Sequence, residues 1–344
     1  MLIAAGTAGV AEYAAAAQWC ADLPERVRVA LGLGRSTPAL STLRRAAGAV
    51  DPDVLDAVLS AWVATRAASG LEGHTARRVI AVDGKSARGA VADSGRCEHF
   101  LSAMDQASGA VLAQVRVDAA TNEIAMFKAL LDHLPLAGAL ITADALHTQV
   151  GHAHYLHRHG AQYLLVVKAN QPRLHKRLAG LPWRDIPTAV TSADAAHGRI
   201  QERAVQITSL AGGIGFPHAK LALRIRRTRR QKRRRTTAKV GAGGHDASTE
   251  VVYAVTDLAW EDTTAEELAA MIRGHWGIEN RVHWVRDVTF GEDASQTRTG
   301  TSVQVMTTIR NTAISLLRLV GHTNIAAATR RIHRHPERLL RLIQ

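Results

Sequence analysis

The sequence predicts a mixed α/β fold in which a helical N-terminal segment precedes a larger α/β domain. Three observations carry this. Apolar residues up to about Gly73 recur at helical spacing, short apolar runs that stop at Asp or Gly begin after Arg78, and helical stretches lie between those runs. The chain has 344 residues, 47% hydrophobic and 21% charged, which is enough to bury a core and too apolar for a disordered segment. No apolar run reaches the ~18 residues needed to cross a bilayer, so no membrane role is expected and the predicted location is cytoplasmic. Cys20 and Cys97 lie far apart without metal-ligand spacing, which excludes a disulfide framework and a thiolate zinc site.

Charge narrows the partner class. Lys and Arg number 43 against 30 Asp and Glu, a net +13 that favours a polyanion, nucleic acid ahead of an anionic membrane. Ten of those charges lie in one acid-free run, Arg224 to Lys239.

Taken in order, Trp19, Leu23, Val27 and Leu31 recur every four residues, and Val54, Leu55, Val58, Leu59, Trp62 and Val63 follow the same amphipathic period, giving a helical domain over 1–73. It reads as a helical cap or a DNA-reading unit. Val79 to Val82 is a buried strand that is expected to stop at Asp83-Gly84-Lys85; His99 to Met104 and Ala110 to Val117 complete a three-strand meander. A helix from Thr121 to about His133 follows, with Glu123 favoured in its first turn by the helix dipole. Next come a strand over Leu140–Ala143 ending at Asp144, a helix from Gln149 to His159, and a strand over Tyr163–Val167. The order β-β-β-α-β-α-β is that of an RNase H-like domain, here over 74–344. Ile200–Ile207, Lys220–Ile225 and Glu250–Thr256 form a mostly β insertion over about 190–258, with the arginine-rich run as a loop between the second and third. Val305 to Val320 is an amphipathic helix, followed by a basic tail from Arg330 to Arg341.

In an RNase H-like sheet the strands ending at Asp83 and Asp144 are central neighbours, so their carboxylates fall side by side. Two such acids in a basic protein repel unless cations lie between them, and oxygen ligands of this kind suit Mg²⁺ or Mn²⁺. A third acid is expected from a later helix. Leu268, Ile272, Trp276 and Glu279 share one face, and the helical period brings His275 and Arg286 to the same side. Glu279 is expected among Trp276, Ile278 and Trp284. Asp287, about 100° from Arg286, should point elsewhere, and Glu292 and Asp293, after Gly291, should cap the next helix or pair with Arg298. The histidines His147, His152, His154, His157 and His159 read as surface or packing residues rather than a metal site.

VIAVDGKSARGA, TADALHTQ, YLLVVKANQPRLH, HGRIQER and GHWGIENRVHWVRDVTFGEDASQTRTG resemble, in order and spacing, the ISAs-type insertion-sequence transposases, the group that includes the H-repeat-associated proteins. The resemblance covers nearly the whole chain. It implies a DDE recombinase in which Asp83, Asp144 and Glu279 are catalytic and hold two Mg²⁺ ions, with Mn²⁺ able to substitute. It also implies double-stranded DNA as partner, both element ends and target, a homodimer in the DNA complex, and a place at the bacterial nucleoid. Lys85, Lys168, Asn170, His275 and Arg286 are expected near DNA, as are the phosphate-binding residues of the run: Arg226, Arg227, Arg229, Arg230, Lys232, Arg233, Arg234 and Arg235. Superfamily relatives place a basic residue seven after the Glu, an Arg four before it and a Tyr seven before it; here those positions hold Arg286, His275 and Ile272, and only the first keeps its chemistry. Family members often carry more helical sequence before the counterpart of Glu12, which implies a trimmed end-recognition region. The rival readings are a catalytically silent DNA-binding remnant acting as a repressor, and a plain RNase H-like nuclease.

Overall fold

The structure is a computed structural model and describes every residue except 35, 70–76, 92–94, 96, 119, 197–198, 233–244, 296, 298–299 and 344. The chain divides into two compact units, one formed by 1–139 with 274–344, the other by 140–273.

The first unit opens with helices α1 (Leu2–Thr7), α2 (Tyr13–Ala21), α3 (Glu25–Ala30), α4 (Leu40–Ala49) and α5 (Pro52–Ser69). Strands β1 (Val79–Val91), β2 (Cys97–Asp105) and β3 (Val111–Val117) form the antiparallel meander, and α6 (Glu123–Leu131) follows, its N-terminus capped by the Asn122 side chain. Helix α6 buries Phe127, Leu130 and Leu131.

The second unit holds β4 (Leu140–Ala143), α7 (Val150–Arg158), β5 (Gln162–Val167), α8 (Pro172–Ala179), and four longer strands: β6 (Thr188–Ala196), β7 (Arg199–Ser209), β8 (Leu221–Lys232) and β9 (His245–Thr256). Strand β4 runs parallel to β5, which pairs antiparallel with β9; β9, β8, β7 and β6 then follow edge to edge, all antiparallel. Here the structure corrects the reading of the arginine run. Arg224 through Lys232 are not a loop but the outer half of β8, hydrogen-bonded to β7 on one side and β9 on the other. Leu221, Leu223 and Ile225 anchor the strand in the core, and the two flanking strands carry it on as an extended segment although its later side chains are charged.

Helix α9 (Ala265–His275) leads back into the first unit, which closes with α10 (Ser302–Leu319), α11 (Ile325–Arg334) and α12 (Leu340–Ile343). The N-terminal helices pack together with the C-terminal ones. Ala4, Ala5, Tyr13, Trp19, Leu43 and Ala47 share one core with Val305, Ile309, Ala313, Leu317, Ile325 and Ile332 from α10 and α11. Helix α5 is tied in by Asp56, whose buried carboxylate accepts hydrogen bonds from Thr308, Gln304 (2.9 Å) and Gln114 (3.3 Å). Among the described residues no helix is long and apolar enough to cross a membrane.

Candidate active site

Asp83 does not end β1. It sits within the strand opposite Ser102, and Gly84, Lys85 and Ser86 continue the pairing with Leu101, Phe100 and His99. Asp-Gly-Lys has turn composition, but β2 offers an uninterrupted partner and the segment stays extended. Gly84 is required for close approach: a Cβ there would lie 2.5 Å from Oε1 of Glu123. Because side chains alternate along a strand, Glu123 packs on the face opposite Asp83. The same carboxylate accepts from His99 Nε2 at 2.7 Å, and His99 Nδ1 accepts from the Ser86 hydroxyl at 2.8 Å. The start of α6 is thereby bonded to β1 and β2 behind the acid.

Glu279 reaches the same place by an unexpected winding. Beyond α9 the chain forms two π-helical stretches, Glu279–His283 and Val285–Thr289, with i→i+5 bonding. In this wider coil a step of four nearly closes a turn and a step of seven lands across the helix. The residue that joins Glu279 is therefore His283, not Arg286. His283 Nδ1 lies 3.1 Å from Glu279 Oε2 and 3.5 Å from Asp83 Oδ2, and one ligand atom from each of the three falls within 4.8 Å of the others. His283 is buried, which pushes its pKa down and keeps the ring neutral; its Nδ1–H donates to Glu279, and that hydrogen bond holds the Glu279 carboxyl below its ordinary range. The Glu279 side chain is 66% exposed, so it faces solvent instead of lying among Trp276, Ile278 and Trp284. Two converging carboxylates suit a hard divalent cation, with the imidazole orienting one of them.

The winding also reassigns the neighbouring charges. Arg286 is fully buried and donates to Glu292 at 2.6 Å, and Arg310 from α10 lies 3.4 Å from the same carboxylate. Burial alone would raise the Glu292 pKa, but the two guanidiniums outweigh it and hold the acid low. Arg286 therefore has no face for DNA phosphate, and Glu292 is a core ion rather than a helix cap. Lys85, only 8% exposed, pairs with Asp287 at 2.8 Å and lies 3.8 Å from Asp293, so this lysine is also spent inside the protein. Asp287, expected to point away, stands beside it; Asp293 accepts from the Arg88 amide, and Arg298 lies outside the described residues. His275 and Ile272 are both buried, which removes His275 from the DNA-facing set.

In the second unit Asp144 ends β4, as its apolar run predicts, and Oδ1 accepts from the Leu146 amide at 2.9 Å to start a short 3₁₀ turn. Asn170 donates to the Ala145 carbonyl at 2.7 Å and Gln171 to that of Thr148 at 2.9 Å, so the Asn170–Gln171 loop braces the turn that follows Asp144. Lys168 is exposed. On β8, Arg227 pairs with Glu250 at 2.8 Å and Arg230 with Glu202 at 3.5 Å, whereas Arg226 and Arg229 are exposed with no ion-pair partner among the described residues. Lys232 ends the strand; Arg233, Arg234 and Arg235 lie outside the described residues. Of the histidines, His147 and His152 are buried and stacked, while His154 and His157 pack against His218.

The one site residue the sequence reading missed is His283. Its spacing of four from Glu279 was visible, but a regular α-helical period favours Arg286 equally.

A family model described as "Transposase DDE domain" matches residues 74–316. The chain is 31% identical over 303 residues to "Putative transposase YncI" of Escherichia coli O157:H7, a match covering 82% of this chain and 71% of that one. It is 28% identical over 254 residues to "H repeat-associated putative transposase YhhI" of Escherichia coli K12, covering 70% of this chain and 64% of that relative's length. Among solved structures it is similar to the piggyBac transposase in a cryo-EM synaptic complex with hairpin DNA, at 10% identity and a TM-score of 0.41 over 76% of this chain and 53% of that one.

Proposed function

The chain belongs to the DDE transposase family, and from that premise we propose that it cuts DNA at the ends of an insertion element and joins the freed strands to target DNA. The observation that carries the reading is the convergence of Asp83 and Glu279, remote in sequence, with His283 between them. Asp144, at the end of β4, is the third acid of the proposed set.

Asp83, Asp144 and Glu279 are the residues that would hold the divalent ions. Mg²⁺ or Mn²⁺, when bound, lowers the pKa of water and stabilises the attacking and leaving oxygens of phosphodiester transfer. The chain's own groups prepare that chemistry. His283 fixes one rotamer of Glu279 and keeps it ionised. The Ser86–His99–Glu123 series pins the strand under Asp83, and the Lys85–Asp287 pair holds the π-wound segment against β1. Water adds at phosphorus as the bond to the 3′-oxygen breaks, and the freed 3′-hydroxyl attacks a target phosphodiester, displacing its 3′-oxygen; no covalent protein intermediate is needed. Lys168, Arg226, Arg229 and Arg230 supply phosphate contacts, which give affinity without sequence preference. The working form on DNA is a homodimer, and the helices of 1–73 take part in end recognition.

The test is strand cleavage of DNA carrying the gene's own flanking sequences, with Mg²⁺ and then with EDTA. Glu279→Gln and Asp83→Asn should each lose turnover by orders of magnitude. Glu279→Gln should keep its thermal midpoint nearly unchanged, because its carboxylate stands in solvent. Undiminished cleavage by Glu279→Gln would remove that residue from the site.

A further inference from the structure

A groove of about 750 Å³ lies in the first unit between the second π-wound stretch and α11. One wall is apolar. Val285 and Arg286 turn inward, while Trp284 and Val288, four residues apart, turn outward at 52% and 59% exposure. The other wall is basic. Helix α11 buries Ile325, Ala328 and Ile332 and leaves Arg330, His333 and Arg334 exposed toward the groove.

Both walls are unfavourable in isolation. An exposed tryptophan beside an exposed valine leaves apolar surface in water. Arg330 and Arg334, spaced i and i+4, repel each other, and no acid among the described residues lies within ion-pair distance of either. A ligand that relieves both must be negatively charged and present a flat apolar face. A duplex offers phosphates but keeps its base faces stacked inside, and an acidic peptide offers charge without a planar surface. An unpaired nucleic-acid strand offers both, with bases to stack on an aromatic ring and phosphates for guanidinium groups.

We propose that this groove binds an unpaired stretch of DNA, with Trp284 stacking on a base and Arg330 and Arg334 contacting the flanking phosphates. Trp284 directly follows His283 in the chain, so the groove runs along the segment that carries Glu279. The identity of the strand as DNA rests on the transposase reading above.

The experiment uses the full chain, a fluorescein-labelled oligothymidylate and a duplex of equal length. Trp284→Ala should weaken single-strand binding by ~10- to ~100-fold with an unchanged salt slope, the size of one lost stacking contact. Trp284→Phe should recover part of the loss, and duplex affinity and sedimentation mass should hold. Arg330→Gln combined with Arg334→Gln should flatten the slope of log K against log salt by ~0.7 per lost contact. The proposal is overturned by unchanged single-strand affinity in Trp284→Ala, by equal losses for single strand and duplex, or by a change in sedimentation mass showing that a second copy fills the groove. Displacement of the labelled strand by oligoglutamate without any effect of Trp284→Ala would also overturn it, in favour of an acidic peptide. Cleavage by Glu279→Gln, measured in parallel, separates the two ideas: retained cleavage defeats the transposase assignment of that acid and leaves the stacking result standing.

Discussion

Two groups of cations, one in each unit, stand in opposite settings. In the unit of 1–139 and 274–344, Arg286, Arg310 and Lys85 lie in the interior or nearly so, the two arginines against Glu292 and the lysine against Asp287. In the unit of 140–273, the cations of β8 stand along an exposed strand, some loosely paired and others facing solvent. A count of +13 treats these alike. Physically they differ: an interior guanidinium already bonded to an acid holds the structure together and cannot also hold a phosphate, whereas an exposed unpaired one adds little to folding and is available to an external polyanion.

The sharpest way to break that contrast is Glu292→Gln. It leaves the Arg286 and Arg310 charges buried against a neutral amide and should cost about 3–5 kcal/mol of stability, read by urea unfolding. A loss below about 1 kcal/mol would mean that the interior arginines find other partners and are no different in kind from those on β8.

A smaller effect tests where the units agree. Each contains a buried carboxyl pushed up to about 6 by burial, Asp56 in the first and Asp257 in the second. An unfolded Asp titrates near 3.9, so between about pH 4 and 6 the folded state keeps protons that the unfolded state has released. The stabilisation is full below pH 4 and is lost as pH rises through about 6, by up to about 3 kcal/mol for each group. Asp56→Asn and Asp257→Asn should each remove their own part of that decline in unfolding curves taken from pH 4 to 8. An undiminished slope would show that the acid is not titrating in this window.

The smallest effect on stability belongs to β8. Replacing Arg226, Arg229 and Arg230 by Gln should change the thermal midpoint little, within about 0.5 kcal/mol. DNA binding should weaken alike on every sequence, with the salt slope falling by ~0.9 per lost phosphate contact on duplex. Marked destabilisation with an unchanged salt slope would reverse the contrast between the units.

The legible parts of the fold were those set by local pattern. The apolar run Leu140–Ala143 announces a buried strand and puts Asp144 at its end, and the meander and the alternation of strand and helix after it follow from similar runs. What could not be read was set by partners distant in sequence. Asp-Gly-Lys has the composition of a turn, and only the pairing with β2 keeps it extended. Arg224–Lys232 has the composition of a solvated loop, and only β7 and β9 make it a strand. The exchange of Arg286 for His283 beside Glu279 depends on π winding, a departure from the regular period that the sequence alone does not announce. Asp83 is singled out in the sequence as a strand-end acid and Glu279 as an acid among apolar neighbours, yet the first lies within its strand and the second faces solvent; His283 beside them and Arg286 against Glu292 take faces that depend on the coil.

The division of the chain has a consequence for the moment at which Asp83 and Glu279 can first meet. Residues 140–273 are contiguous, so this unit has all its residues as soon as they leave the ribosome. The other unit is split in sequence, and its N-terminal helices share their core with α10 and α11, which are made near the end of synthesis. Asp83 emerges early but meets Glu279 only after 274 and beyond have been translated. A nascent chain thus carries its surface arginines before Asp83 and Glu279 can come together, and a product that ends after β8 but before residue 274 keeps those exposed cations without the paired acids.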